Sequence, residues 1–220
     1  MRARWLACIF GLFFLILLPG LAQAGAQSRE VRVSWVPDGD TLILGDREVV
    51  RLKGIDAPET ASDGRPDQYF ALEATQRLEE LVQGRTLTLK TGQVAQDRFG
   101  RTLGYVYLPS GENISLLLVR EGLAFYYPHA DQDENISREL HRAQQRAIDA
   151  NAGFWPEVLR QYPEVETWMA NKRSKRFHHP ECGYGRRIAQ HNREEFSTLR
   201  QVFYAGYAPC RRCTPWPDAE

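Results

Sequence analysis

Several features are missing from this 220-residue sequence. The apolar run from residue 5 to residue 18 has about 14 residues, which is short for a transmembrane helix of about 20. No net charge remains, because 28 basic residues balance 28 acidic ones. No internal repeat or low-complexity stretch is evident. These absences leave a globular chain of one large domain or two small ones.

The short apolar run has the pattern of a secretory signal peptide. Arg2 and Arg4 precede it, and a helix-breaking Pro-Gly pair and the small-residue tripeptide AQA at 22–24 follow it. This order of a charged, an apolar and a small-residue segment predicts cleavage after Ala24, or after Ala26. We therefore expect residues 1–24 to be removed and the protein to be exported to the periplasm or secreted, with no membrane span left. A retained signal anchor is the alternative.

The predicted mature chain also lacks an even number of cysteines. Cys8 lies within the predicted signal peptide, so the mature chain keeps only Cys182, Cys210 and Cys213. An odd number in an exported protein argues against a simple disulfide framework. It leaves either one unpaired thiol or a metal site whose fourth ligand is not cysteine.

Charge is distributed unevenly along the chain. Residues 25–170 carry 16 basic against 23 acidic side chains, a net charge of −7, whereas residues 171–213 carry 10 against 3, a net charge of +7. A change of sign late in the chain suggests a second module. The alternative is a solvated basic face on a single domain.

Hydrophobic periodicity predicts five short strands interleaved with helices. The predicted strands are 31–35, 41–44, 48–55, 86–91 and 102–108, and the predicted helices are 68–81, 114–121 and 134–150. Such a series favours a small closed barrel of the OB type. The predicted fold class is a β-rich α+β protein, with a five-stranded OB-fold barrel and helices over 29–156, a linker over 157–170, and a small α+β module over 171–216.

Four polar residues cluster where two predicted strands begin and end. Asp40 and Asp56 offer the oxygen ligands that Ca²⁺ or Mg²⁺ prefers. Arg51 lies in the same strand as Asp56, Glu59 follows shortly after, and Arg101 closes a glycine turn further along the chain. A metal, a carboxylate that orients or deprotonates water, and arginines that grip phosphate suit phosphodiester hydrolysis. Taken singly, the residues could be turn formers or surface ion pairs.

The motifs DGDT at 38–41, VRLKGIDAPET at 50–60, DRFGR at 97–101 and LVREGLA at 118–124, with GFW at 153–155, resemble the staphylococcal nuclease (thermonuclease) family. The resemblance implies an OB barrel and a calcium-dependent endonuclease acting on DNA and RNA. It further implies Asp40, Asp56 and the backbone carbonyl of Ala57 as calcium ligands, with Glu59 as general base or water-positioning group. Arg51 and Arg101 match the arginines that bind the scissile phosphate.

An aromatic run occupies the region where this family stacks a nucleotide base. Tyr126 and Tyr127 are therefore candidate substrate-binding residues, since aromatic rings stack on bases of any sequence. Packing at the edge of the barrel is the alternative for both rings.

A second constellation lies in the basic module. His178 and Cys182, with Cys210 and Cys213, supply the ligands of a tetrahedral Cys₃His zinc site of the structural kind. His179 competes with His178 for the imidazole position. A Cys210–Cys213 disulfide is the alternative in an oxidising compartment.

The segment over about 172–213 resembles the metal-binding domain of the Ada DNA-repair protein. In that domain the first position is a methyl-accepting cysteine, and here it is His178, so methyl transfer is not implied. A zinc-stabilised fold with a basic surface for the nucleic-acid backbone is what the resemblance implies.

The sequence thus predicts an exported, monomeric nuclease with Ca²⁺ in the barrel and Zn²⁺ in the module, acting on DNA or RNA. A non-catalytic OB module that binds nucleic acid or protein is the alternative, and the zinc module could instead bind a protein at the cell envelope.

Overall fold

The computed structural model describes residues 27–62, 64–213, 216–217 and 219. The predicted signal peptide lies outside this part of the chain. Among the described residues, no helix combines the length and the apolar character that crossing a bilayer requires.

Strands dominate the first half of the chain, and the strands and helices that follow α3 are short. The strands are β1 (Gln27–Val31), β2 (Val33–Asp38), β3 (Thr41–Leu44), β4 (Val49–Leu52), β5 (Ile55–Asp56), β6 (Leu87–Gln96), β7 (Thr102–Tyr107), β8 (Phe125–Tyr126), β9 (Trp168–Asn171), β10 (Arg176–His178), β11 (Arg193–Phe196) and β12 (Ala208–Pro209). The helices are α1 (Ala71–Val82), α2 (Ile114–Arg120), α3 (Glu134–Asp149), α4 (Trp155–Val158), α5 (Gly183–Arg186) and α6 (Leu199–Tyr204), with a 3₁₀ turn at Gln190–Asn192.

The first sheet curls into a barrel. Its strand order is β1-β6-β7-β4-β3-β2, and only the β4–β7 pair is parallel among its pairings. Because β1 ends at Val31 and β2 begins at Val33, the two ends of this order belong to one stretch of chain that bends at Arg32. The sheet therefore behaves as a five-stranded barrel, and the predicted OB-type fold class is confirmed.

Element boundaries differ from the predictions where the backbone turns sharply. The predicted strand 48–55 is divided into β4 and β5, because Gly54 takes a positive φ of 87° and β5 leaves the barrel to pair with β8. The predicted helix 68–81 begins only at Ala71, since Phe70 is left-handed. Strand β6 runs on to Gln96 because Gln96 pairs with Thr102.

The barrel interior and one face of each long helix share a hydrophobic core. Its most deeply buried members include Leu42, Val50, Leu52, Ala74, Leu78, Leu89, Ile114, Leu118 and Leu140. Burying each large aliphatic side chain contributes about 1.5–3 kcal/mol. Asn113 and Asp133 are the N-cap residues of α2 and α3, and their side chains accept hydrogen bonds from backbone N–H groups of the first turn. These caps fix the helix ends that cover the barrel.

A close backbone crossing joins α2 to the end of α3. Gly122 and Gly153 meet there, and the N–H of Phe154 donates to the carbonyl of Gly122 over 3.0 Å. A Cβ on Gly153 would lie 2.1 Å from the Gly122 carbonyl oxygen, so neither position tolerates a side chain. The crossing directs the fully buried Phe154 and Trp155 into a second hydrophobic cluster.

The second cluster connects the barrel to the C-terminal module. The module is built on a four-stranded sheet in the order β11-β9-β10-β12, in which β12 is parallel to β10. The cluster combines residues from the first part of the chain with residues of this sheet and of α6, namely Phe125, Ala147, Ile148, Phe154, Trp155, Trp168, Phe177, Val202 and Phe203. The range interpreted as a linker, 157–170, holds the second half of α4 and the first three residues of β9, with Trp168 only 1% exposed.

Candidate active site

Strand register brings the acidic and basic residues of the first constellation together. Thr41 of β3 lies opposite Arg51 of β4, and the N–H of Leu52 donates to the carbonyl of Asp40 over 2.8 Å. The Arg51 Nη2 atom lies 2.7 Å from Asp40 Oδ2 and 2.5 Å from Asp56 Oδ1. All three of these charged residues are buried. One guanidinium group thus holds two carboxylates, one from the turn before β3 and one from β5.

The DGD turn before β3 is shaped by contact with α1. The backbone N–H of Asp40 donates to Asp38 Oδ1 over 3.0 Å, which closes the turn. A Cβ on Gly39 would lie 2.6 Å from the Cβ of Ala74 in α1 and 2.8 Å from that of Ala57. Glycine at this position therefore allows the helix to pack directly behind the carboxylates.

Electrostatics at Asp40 favour an additional cation. Burial raises the pKa of Asp40 well above its ordinary value, and Asp38 and Asp56 add to the rise, while Arg51 opposes it. The Oδ2 atom of Asp40 also accepts from the Ala57 N–H over 2.7 Å. Two convergent carboxylates beside a backbone segment are a donor set of hard oxygens, which fits Ca²⁺. The predicted role of the Ala57 carbonyl as a ligand stays a prediction.

Glu59 stands at the border between this cluster and solvent. Its backbone is tied to Gln68, whose side chain accepts from the Glu59 N–H over 2.8 Å and whose own N–H donates to the Glu59 carbonyl over 3.0 Å. The side chain is 52% exposed. Partial burial, followed by the charges of Asp38 and Asp56, raises the pKa of Glu59. A reachable carboxylate with a raised pKa is suited to general-base chemistry.

Arg101 is held within its own turn. Its Nε donates to Asp97 Oδ2 over 2.8 Å, and its guanidinium lies over the ring of Phe99. Among the described residues, its ion pair and side-chain hydrogen bond are with Asp97 and do not join it to Asp40, Arg51, Asp56 or Glu59. Arg51 lies opposite Leu103 in the parallel pairing of β4 with β7, and Arg101 immediately precedes β7. Its phosphate-binding role stays a prediction.

The two tyrosines differ in their surroundings. Tyr126 is buried, its ring stacks on His141, and its hydroxyl lies 2.5 Å from Ser137 Oγ. This packing favours the barrel-edge alternative for Tyr126 over base stacking. Tyr127 is partly exposed, but the guanidinium of Arg176 lies 3.6 Å from the centre of its ring. One face of Tyr127 is therefore covered by the C-terminal module.

The motifs and their geometry agree with the comparisons with known proteins. Residues 49–157 match the family model described as staphylococcal nuclease homologue. An uncharacterized endonuclease of Escherichia coli is 35% identical over 130 residues, covering 58% of this chain and 77% of the relative. The chain belongs to the staphylococcal nuclease family. A thermonuclease of Staphylococcus hyicus is 34% identical over 131 residues, covering 57% of this chain and 76% of the relative.

Similarity extends to a protein named micrococcal nuclease in Shigella flexneri, which is 32% identical over 149 residues, covering 63% of this chain and 78% of that protein. The protein is accordingly a nuclease of the hydrolase class, and nucleic acid is its substrate. The family match ends before the basic module, so the resemblance of that module to the Ada domain stays a prediction.

An open cavity of about 460 Å³ adjoins the nuclease carboxylates. Its lining includes Asp56, Glu59, Arg65, Phe125, Arg211 and Trp216. The sequence did not indicate Arg211 or Trp216 as site residues. Trp216 stacks on Phe125 with a centroid distance of 5.2 Å, and its indole N–H donates to the carbonyl of Tyr69. The end of the chain thus forms one wall of the nuclease cavity.

The four predicted zinc ligands converge in the C-terminal module. The ligand atoms of His178, Cys182, Cys210 and Cys213 all lie within 4.8 Å of one another. The parallel pairing of β10 with β12 sets Phe177 opposite Pro209, and the Cys210 N–H donates to the Phe177 carbonyl over 2.9 Å. This register brings His178 beside Cys210. A soft Cys₃His donor set fits a tetrahedral Zn²⁺ ion with only a small contraction.

His178, rather than His179, faces the thiols. Its Nδ1 lies 3.5 Å from Cys182 Sγ and 3.8 Å from Cys213 Sγ. Burial lowers the pKa of His178, which keeps the imidazole in the neutral form that binds metal. His179 Nδ1 instead accepts from the N–H of Glu181. No disulfide joins cysteines within the described residues.

Proposed function

We propose that this chain is an exported, calcium-dependent endonuclease that hydrolyses phosphodiester bonds of DNA and RNA. The observation that carries the proposal is the Arg51 guanidinium bound between Asp40 and Asp56, with the half-exposed Glu59 at its border. The nuclease relatives supply the reaction class. Export is supported by the signal-peptide pattern of residues 1–24.

Each side chain has a distinct task in this proposal. Glu59, with its raised pKa, accepts a proton from the attacking water or orients it. Arg51 offers a planar fork to the phosphate oxygens as negative charge builds on them. Asp40 and Asp56 would hold Ca²⁺, which supplies charge stabilisation to the phosphoryl group when bound. Arg101 would join Arg51 at the phosphate by leaving its contact with Asp97.

The C-terminal module would hold Zn²⁺ through His178, Cys182, Cys210 and Cys213 as a structural ion. Its net charge of +7 supports a role in attracting the nucleic-acid backbone toward an acidic barrel. This distribution of charge favours nucleic acid over a protein at the cell envelope as the partner of the module.

Plasmid cleavage tests the calcium proposal. Purified protein is incubated with supercoiled DNA in calcium-free buffer and then with Ca²⁺ added, while zinc content is measured in both samples. We expect nicked and linear products only with Ca²⁺ and an unchanged zinc content. Equal cleavage without Ca²⁺ would refute the calcium dependence, and a retarded but intact plasmid would support the non-catalytic alternative.

A further inference from the structure

Arg211 of the C-terminal module reaches into the nuclease site. Its Nη2 atom hydrogen-bonds and ion-pairs with Asp56 Oδ1, the same oxygen that Arg51 binds. It also lies 3.8 Å from Glu59 Oε1. The contact joins residues 155 positions apart in sequence. A guanidinium from the second module therefore lies beside both the predicted calcium ligand and the predicted general base.

The turn that carries Arg211 is fixed at both ends. Arg211 and Arg212 lie between two predicted zinc ligands, and the N–H of Cys213 donates to the carbonyl of Cys210 over 3.1 Å. Arg212 points elsewhere, because its guanidinium donates to the hydroxyl of Tyr184. Of the two adjacent arginines, the turn thus directs one toward the nuclease site and the other away from it.

Contacts away from Arg211 also hold the C-terminal module against the barrel part. Arg176 covers the ring of Tyr127 and donates to the carbonyl of Pro128. Trp216 packs on Phe125 and, edge to face, on Phe154. The position of Arg211 is therefore set by a packed interface and not by one exposed ion pair.

Asp56 already has a buried partner in Arg51, so a phosphate can replace its contact with the more exposed Arg211. The Arg211 side chain is 61% exposed and borders the open cavity, so a ligand can reach it. Arginine stays charged at any physiological pH, and its planar fork matches phosphate geometry. The ligand chemistry that fits is an anionic phosphodiester in the cavity.

We propose that Arg211 is a phosphate-binding residue of the nuclease site, delivered by the turn between Cys210 and Cys213. This inference rests on the proposed nuclease function and adds to it a substrate contact from outside the barrel. The zinc module is then a structural part of the active site, besides its basic surface.

Three variants test the proposal: Arg211→Ala, Arg211→Lys and the matched control Arg212→Ala. Steady-state kcat/KM is measured on a fluorescent single-stranded DNA oligonucleotide at several salt concentrations with Ca²⁺. Affinity for the same oligonucleotide is measured by fluorescence anisotropy in calcium-free buffer. Zinc content and melting temperature establish that each variant keeps its fold.

We expect Arg211→Ala to lower kcat/KM by about 10- to 100-fold, as loss of a charge-assisted hydrogen bond does. Its oligonucleotide affinity should fall, and the slope of log affinity against log salt should decrease by about one. Arg211→Lys keeps the charge but not the planar guanidinium group, so its kcat/KM should lie between those of wild type and Arg211→Ala. Arg212→Ala should change kcat/KM by less than about twofold.

Other outcomes overturn the proposal. An Arg211→Ala rate equal to wild type would mean that the residue does not touch substrate. A higher rate with a lower Ca²⁺ requirement would mean that Arg211 blocks the site. Equal losses in Arg211→Ala and Arg212→Ala would assign the effect to general basicity. An inactive wild type would instead refute the proposed nuclease function.

Discussion

The barrel and the C-terminal module differ in charge and in how each is held together. The barrel part is acidic and closes around a core drawn from its own strands and helices. The module is basic, its strands have two to four residues, and its core is shared with Phe125, Phe154 and Trp155 of the first part. A cluster of four candidate metal ligands and hydrophobic surface shared with the barrel part thus take the place of the core that so small a module cannot build alone. A reversal of charge marks where the module begins but does not imply that it is independent.

The largest loss of turnover should come from a change to a proposed catalytic residue of the barrel. Replacing Glu59 by Gln removes a proton acceptor without changing size, so turnover should fall by about 10²- to 10⁴-fold. Steady-state rates with Ca²⁺ check this, and zinc content and melting temperature should match wild type because the side chain is half exposed. A variant as active as wild type would remove Glu59 from the mechanism.

Loss of zinc should destabilise the module and, because Arg211 would be displaced, lower the activity of the nuclease site. Replacing Cys182 by Ser removes one of four ligands, and structural zinc sites contribute directly to folding. We expect loss of bound zinc, a lower melting temperature, and a fall in kcat/KM of at least the 10- to 100-fold that Arg211→Ala gives.

The matched control for zinc loss is His179→Gln, which should keep both zinc and activity, since His178 is the imidazole that faces the thiols. Full activity in zinc-free Cys182→Ser protein would show that the two regions work separately.

Acidic pH should reveal the coupling between carboxylates within the barrel. Glu59 acts as a base only when deprotonated, so the rate should fall as pH drops through its raised pKa. Because Asp38 is one cause of that rise, Asp38→Asn should move the acidic limb of the kcat profile to lower pH. Asparagine keeps an oxygen for the Asp40 N–H, which the wild-type side chain binds over 3.0 Å. An unshifted limb would mean that another group controls it.

The smallest predicted change is in melting temperature, on removal of one contact between the barrel part and the C-terminal module. Arg176→Ala removes the guanidinium that covers Tyr127, a contact worth about 0.5–1 kcal/mol where it is exposed and more where it is desolvated. For a chain of this size the melting temperature should fall by about 2–4 °C. Arg173→Ala is a suitable control, because this exposed arginine makes only a backbone contact to Asn171. Equal shifts in both variants would argue against a specific role of Arg176 in docking.

Much of the barrel could be predicted because its signals are local. Alternating strands and helix periods each depend on residues close in sequence. Asp40 and Arg51 meet because β3 pairs with β4, and Asp56 follows Arg51 by only five residues, so the motifs predict that the three residues converge. The boundaries near Gly54 and Phe70 were missed because a left-handed backbone conformation leaves hydrophobic periodicity unchanged.

Contacts between distant parts of the chain could not be predicted in this way. Tyr126 has the same aromatic signature as Tyr127, and only the packing of α3 shows that one ring is buried while the other is partly exposed. In the sequence, Arg211 lies beside two candidate zinc ligands and shows no sign of a contact with the barrel. Its ion pair with Asp56 depends on how the module docks.

The sequence by itself determined the family and indicated the Asp40, Arg51 and Asp56 cluster and the Cys₃His set, because motifs of characteristic spacing mark these residues. Only the tertiary structure decided that the module packs on the barrel through Phe125 and Trp216, and that Arg211 enters the nuclease site. The physical reason is that docking depends on complementary surfaces assembled from many distant residues, for which a single sequence carries no periodic or local signal.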